Sequence, residues 1–305
     1  MPDANSRRVV ITIIGLLVLG IAAFAAYRFL PQDALAKVAA ASASRADSYA
    51  YNDTGVAYCA NQTDYTRDCS PAALGELQGL GQDGETGADA AVPGKTAFSF
   101  TKIDVQGNPL PDDAPSWNCV RDNTTGLLWE HKTGKGLHSF GIFSWYNPDA
   151  ATNGGSPGFQ NPVDALAAGE QNSLDPSLRI CDSSLPACNS REFTNAVNRE
   201  NYCGRHDWRL PEIDELTDLG NFDGLQYGPH DRFFKDTVDF NVLSRTSLPV
   251  TPNEMASDEE ARLGYFWTVS GSRHEEQEMA KSELLPIRLV SDLERKPVTR
   301  TEDAR

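Results

Sequence analysis

The chain has 305 residues, with 27 Lys and Arg against 43 Asp and Glu, a formal net charge of −16. That balance excludes nucleic-acid binding by phosphate neutralisation, which needs clustered cations. A hydrophobic fraction of 40% excludes a wholly disordered chain, and 24 Gly with 18 Pro predict a loop-rich fold of one or two domains.

The N-terminus carries the first organised segment. Arg7 and Arg8 precede an uncharged run from Val9 to Ala26, VVITIIGLLVLGIAAFAA, and Tyr27 and Arg28 follow it. At ~1.5 Å per residue, such a run with its flanks just spans a hydrocarbon layer of ~30 Å. It predicts a cytoplasmic stretch at 1–8 and a signal anchor or transmembrane helix at 9–27, with a cleaved signal peptide as the alternative. The Arg pair stays inside, so the rest of the chain faces the periplasm or the cell surface. Residues 28–50, rich in Ala and Ser, read as a tether.

All six cysteines lie beyond that run, at Cys59, Cys69, Cys119, Cys181, Cys188 and Cys203. An even number outside the membrane favours disulfides. Many pairings are open. Short loops favour Cys59–Cys69 and Cys181–Cys188, which leaves Cys119–Cys203 as a long-range staple. There is no CxxC, which argues against a zinc ribbon or a redox dithiol, and no CxxCH for covalent haem.

Residues 51–100 are mostly turn-forming, ending in a short strand through Phe98, Phe100 and Ile103. Residues 117–132 predict a hairpin. Trp117–Arg121 and Leu127–His131 are strand-like, and Asp122-Asn123-Thr124-Thr125-Gly126 is the turn. Residues 133–189 form a long polar stretch without regular structure, either functional or an insertion. A helix over 190–202 is N-capped by Ser190 and buries Phe193, Ala196 and Val197. A second helix starts at Pro211, turns Ile213, Leu216 and Leu219 inward, and stops at Gly220. Tyr265–Val269 and Leu284–Val290 read as closing strands, and 293–305 as a polar tail. Strands and two short helices without regular alternation predict an α+β fold.

Several segments in order resemble one family. They are Tyr51-Asn52-Asp53-Thr54-Gly55, Gly81-Gln82-Asp83, the run from Cys119 to Glu130, Phe193 with Val197-Asn198, Cys203-Gly204, and Asp207-Trp208-Arg209-Leu210-Pro211 with Glu215-Leu216. Phe266-Trp267-Thr268 and Pro286-Ile287-Arg288-Leu289-Val290 complete the series. Over residues 51–292 the chain resembles the Lcl C-terminal domain family, bacterial domains of unknown function. The resemblance implies a cell-envelope or secreted domain. The Trp-Arg-Leu-Pro segment is also similar to the Arg-Leu-Pro signature of formylglycine-generating-enzyme-like domains, which implies a C-type-lectin-like mixed sheet with long loops. The family's founding member is similar to an adhesin module that binds sulfated glycans. Two departures stand out: the strong acidity opposes bulk attraction of sulfated polymers, and the short segment after Trp267 implies that a strand pair is trimmed.

Candidate site residues follow. Arg209 is either a ligand contact or a structural guanidinium, and the structural role is favoured. Trp145 and Tyr146 beside the long loop offer aromatic faces for a sugar ring, as do Phe143, Tyr227, Phe233 and Phe234, although core packing is the commoner fate. Calcium is the most plausible ion, through Asp83, Glu85 and Asp89 on one loop and Asp122 and Asn123 in the turn; solvated acidic loops are the simpler reading. His274-Glu275 begins like a zinc-protease helix but lacks the second His. No nucleophile motif or phosphate loop occurs, so no enzyme and no cofactor are expected. The chain reads as a membrane-tethered, non-catalytic recognition module for a glycan or an envelope protein. The alternative is a structural subunit of a surface assembly, in which the chain self-associates.

Overall fold

The computed structural model describes residues 50–86, 98–168, 181, 185–220, 222, 232–234, 241–249, 264–270 and 275–292. The expected anchor and tail, the tether up to residue 49, Asp89, Tyr227 and His274 lie outside them. Among the described residues, no helix is long and apolar enough to cross a membrane.

The Asp122–Gly126 turn forms as its composition predicts. The Asp122 carboxylate accepts the Thr124 and Thr125 N–H groups at 2.9 and 3.1 Å, and Gly126 takes φ 78°, which a side chain would resist. The turn joins β4 (Cys119–Asp122) to β5 (Leu128–Glu130) with Val120 opposite Trp129. β3 (Phe100–Ile103) pairs with β4 on one side, and β11 (Val290–Ser291) pairs with β5 on the other. The result is an antiparallel sheet in the order β11-β5-β4-β3.

Both faces of this sheet are buried. One carries Phe100, Val120, Trp129 and Val290, packed with Trp117, Leu216, Leu219 and Phe234. The other carries Ile103, Cys119 and Leu128, packed with Phe143, Trp145, Phe193, Val197 and Trp208. Period-two alternation of apolar side chains therefore builds two clusters from one sheet. The fold is α+β: besides the central sheet, β7 (Val242–Ser247), β8 (Tyr265–Val269) and β9 (Glu276–Ala280) form a second antiparallel sheet, and β6 (Ile142–Ser144) pairs with β10 (Leu284–Pro286).

The three disulfides are Cys59–Cys69, Cys119–Cys203 and Cys181–Cys188, and the described cysteines include no free thiol. They belong to an oxidising, extracytoplasmic environment.

Several sequence expectations need correction. Residues 50–86 hold more than turns: a β1 (Cys59–Ala60) and β2 (Tyr65–Thr66) hairpin, α1 (Pro71–Leu74) and α2 (Asp83–Thr86). These elements are too short to show periodicity. Asn61, whose side chain accepts the Thr63 and Asp64 N–H groups, and Ser70, which caps α1, set them locally. The polar stretch 133–189 contains β6 and α3 (Pro162–Ala168). Helix α4 runs Ser190–Glu200, and its cap is Asn189, which accepts the Glu192 N–H at 2.9 Å; Asn201 ends it in the left-handed conformation. Helix α5 is shorter than expected, Ile213–Thr217: Glu212, the residue after Pro211, is its N-cap and forms a reciprocal capping box with Glu215. The stretch 284–290 is two strands of different sheets, and after Trp267 the chain adds one strand, β9, with Glu276 opposite Val269.

A buried charge network stitches the second cluster. Glu130 is fully buried and accepts from Lys132 Nζ at 2.8 Å and the Leu289 N–H at 3.1 Å. Its Oε1 also lies 2.9 Å from His138 Nδ1, and the far ring nitrogen lies 3.1 Å from Glu200. The His138 ring stacks on Tyr202 at 3.5 Å. Burial by itself would raise the Glu130 carboxyl, but the Lys132 charge and the His138 contact outweigh it and hold it at about 2, against an ordinary 4.5. Its folded value is depressed, so its stabilisation is complete above about pH 4.5 and is lost as the pH falls through about 2. Glu130→Gln should lower the unfolding free energy at neutral pH by about 2 kcal/mol, and the deficit should shrink in acid. Urea denaturation across that range checks it; a deficit that does not change with pH would show that the charge is not the stabilising element.

Candidate functional site

A cleft of about 310 Å³ opens where three elements meet. The chain leaving β6 supplies Trp145 and Tyr146, the first turns of α4 supply Ser190, Arg191 and Asn195, and Arg209 and Arg245 close the far side. All three residues expected to bind a ligand, Trp145, Tyr146 and Arg209, thus line one cleft, although they are far apart in the chain.

Their roles differ once partners are counted. Trp145 is 1% exposed and donates its indole N–H to the Ser244 carbonyl at 2.9 Å. Lys281 Nζ lies 4.0 Å from its ring centroid, and Phe266 stacks on it at 6.2 Å. It is a core side chain that forms the floor of the cleft, so its expected role as an open aromatic platform is corrected. Phe143, in the middle of β6, and Phe234 are likewise buried, each packed into one of the two apolar clusters.

Arg209 has no donor left for a ligand. Its Nη1 and Nη2 meet both Glu215 oxygens at 2.7 Å, its Nε and Nη2 meet Asp292, and its Nη1 also reaches the Leu210 carbonyl at 3.1 Å. These contacts use all the N–H donors a guanidinium has. Its backbone exchanges two hydrogen bonds of 2.9 Å with Val290, which adds the Trp208–Leu210 segment to the edge of the central sheet. Arg209 is therefore a knot between α5, β11 and that segment, and it only borders the cleft.

Tyr146 differs from both. Its backbone is held on both sides by the Ser190 hydroxyl, at 3.0 and 3.2 Å, but its half-buried ring and hydroxyl have no partner among the described residues. The same is true of the Arg191 guanidinium and the Asn195 carboxamide. Arg191 and Asn195 stand four residues apart on α4, so they share a face, while Phe193, Ala196 and Val197 on the opposite side are buried. The sequence reading missed both; the helical spacing of polar residues beside the apolar stripe was the available signal. Arg245, by contrast, is paired with Glu212 at 2.6 Å.

The loop that forms the other wall is anchored from below. Lys281 is fully buried and donates to the Asn153 and Ser156 carbonyls at 2.7 and 2.8 Å and to the Ser247 hydroxyl at 2.6 Å. Burial pulls its ammonium down to about 8. Gly154 and Gly158 pack so closely on Leu248 and Trp145 that a Cβ would collide with backbone at either position.

The described residues among those expected to bind calcium, Asp83, Glu85, Asp122 and Asn123, hold partners within the protein. Asp83 accepts from the Thr54 hydroxyl, and Glu85 accepts the Gly79 and Gln82 N–H groups at 2.8 and 3.3 Å. Asp122 serves its own turn and Asn52, while Asn123 bridges Thr101 and Ser99. Among the described residues, no group of three or more His, Cys, Asp or Glu side chains is placed to hold a metal ion.

No curated protein and no solved structure is similar to this chain. Residues 118–291, from the strand that opens the central hairpin to the strand that closes its sheet, match the model of the Lcl C-terminal domain, and the chain belongs to that family.

Proposed function

We propose that this chain is a non-catalytic extracytoplasmic recognition module, tethered through its apolar N-terminal run, which binds a glycan at the Tyr146 cleft. The observation that carries this reading is the set of three uncommitted side chains around one cleft: the Tyr146 ring, the Arg191 guanidinium and the Asn195 carboxamide. An aromatic face stacks on the C–H face of a sugar, and fixed donors and acceptors on a helix select its hydroxyls. The wall of the cleft is pre-formed through Lys281, so binding would carry a small ordering cost. The reading as a C-type-lectin-like fold rests on the Trp-Arg-Leu-Pro resemblance together with this mixed-sheet architecture.

A glycan array probed with the oxidised full-length chain, in calcium and then in EDTA, tests the reading. The array carries neutral, sulfated and bacterial-envelope sugars. We expect binding to a defined sugar class that ignores EDTA and weakens about tenfold or more in Tyr146→Ala, the loss of one stacking contact of ~1.5 kcal/mol. A blank array with the protein folded by circular dichroism sinks the glycan reading and transfers the weight to a structural subunit of a surface assembly.

A further inference from the structure

Residues 50–86 meet the rest of the head through their first few positions. The Phe222 N–H donates to the Thr54 carbonyl at 2.8 Å, and the Tyr51 hydroxyl donates to Asp214 at 3.5 Å. Asn52 makes the deepest contact. Its N–H donates to Asp218 Oδ1 at 2.7 Å, and its Nδ2 donates to two carboxylates at once, Asp122 at 2.6 Å and Asp218 at 3.1 Å. The three groups come from three places in the chain: the N-terminal segment, the turn after β4, and the residue that ends α5.

The arrangement is short of positive charge. Asp122 is 1% exposed, and neither Asp122 nor Asp218 has a cationic partner among the described residues. Asn52 Oδ1 is buried and receives no hydrogen bond. A cavity of about 330 Å³ beside the cluster is lined by three more carboxylates: Asp53 from the segment itself, Asp214 from α5 and Glu276 from β9. Every ionisable group facing Asp218 from these elements is therefore an acid, apart from the Tyr51 phenol. Two carboxylates that share one amide repel each other in a partly desolvated site, and one added proton removes that repulsion.

We propose that Asn52, Asp122 and Asp218 form a proton-operated latch: a proton shared in the cluster clamps residues 51–54 onto the head, and its loss loosens them. Burial pushes the Asp218 carboxyl up, the Asn52 hydrogen bonds partly offset this, and the Asp122 and Asp214 charges add to it, so that it titrates at about 7 against an ordinary 3.8. The docked state thus holds the proton more tightly than the undocked state. Docking weakens as the pH rises from about 4 to about 7 and changes no further above that. The latch puts a pH response on the segment through which the head continues toward its N-terminus, and it is independent of the glycan reading.

Hydrogen exchange of the full-length chain, read by mass spectrometry and corrected for intrinsic exchange rates, tests it. Between about pH 5 and about pH 8, protection of the peptides that carry Asn52 and Phe222 should fall about tenfold or more, while peptides from β4 and β5 keep theirs. Asp218→Asn should hold the protection level across the range. A flat wild-type profile overturns the latch, and so does an equal fall in Asp218→Asn. Recovery of protection at high pH on adding calcium alone also overturns it, since the cluster would then be a cation site. If Asp218→Asn fails to fold, the wild-type profile alone still decides.

Discussion

Arg209→Ala should cost about 3 kcal/mol or more of unfolding free energy, measured by urea denaturation at neutral pH. The guanidinium faces Glu215, which is 3% exposed, and Asp292, which is 42% exposed. The Asp292 contact is therefore screened by solvent and contributes little. The Glu215 contact is different: its carboxylate is buried, takes two parallel bonds from Arg209, and also accepts the Glu212 N–H at 2.8 Å to cap α5. Removing Arg209 takes from that buried carboxylate the guanidinium that contacts both of its oxygens, and breaking a buried pair from one side typically costs ~3–5 kcal/mol. Arg209→Lys should recover only a small part, because an ammonium is a point donor and cannot span both oxygens of Glu215 while holding Asp292. A loss below about 1 kcal/mol for Arg209→Ala would mean that the knot is not structural, and would return Arg209 to the list of ligand contacts.

Replacing Cys119 and Cys203 together by Ala should cost about 4 kcal/mol by the same measurement. The bond closes a loop with a sequence separation of 84, whereas Cys181–Cys188 closes one of 7. Loop-closure entropy grows with the logarithm of loop length, so the long staple should stabilise about twice as much as the short one. Both long-staple sulfurs are buried, in the cluster that includes Phe193, Val197 and Trp208, and truncation there also leaves a small void. Equal losses for the two pairs would contradict the entropic account and point to native-state packing instead.

Sequence reading was strongest where one local rule acted alone. The central hairpin was legible because turn residues sit between two apolar alternations and Gly126 supplies the positive φ. The stripe of Phe193, Ala196 and Val197 marked α4 and its buried face. The disulfides followed from loop length and even number. The misses have a common cause. β6, β9 and the elements of residues 50–86 span two to five residues each, too few for a period to appear. Helix α5 was overextended because Pro211 is an acceptable first residue, yet the paired carboxylates of Glu212 and Glu215 set the start two residues later.

The candidate site divides in the same way. Composition and residue type singled out Trp145, Tyr146 and Arg209, and the fold brought them to one cleft. Which of the three is open to a ligand depended on tertiary partners: Ser244 and Lys281 for Trp145, and Asp292, 83 residues away, together with Glu215 for Arg209. Likewise, the acidity was visible from residue counts alone, but the pairing of Asp122 with Asp218 across Asn52 was not, since these residues are 70 and 166 positions from Asn52.

By itself the sequence determined the family, the α+β class and the main helix, because each rests on residue type and short-range spacing, and it favoured the cysteine pairs that the structure shows. Only the tertiary structure decided which polar groups are spent and which are free. A side chain's chemistry is set by the groups that remain unpaired after folding, and those partners come from segments that no local pattern connects.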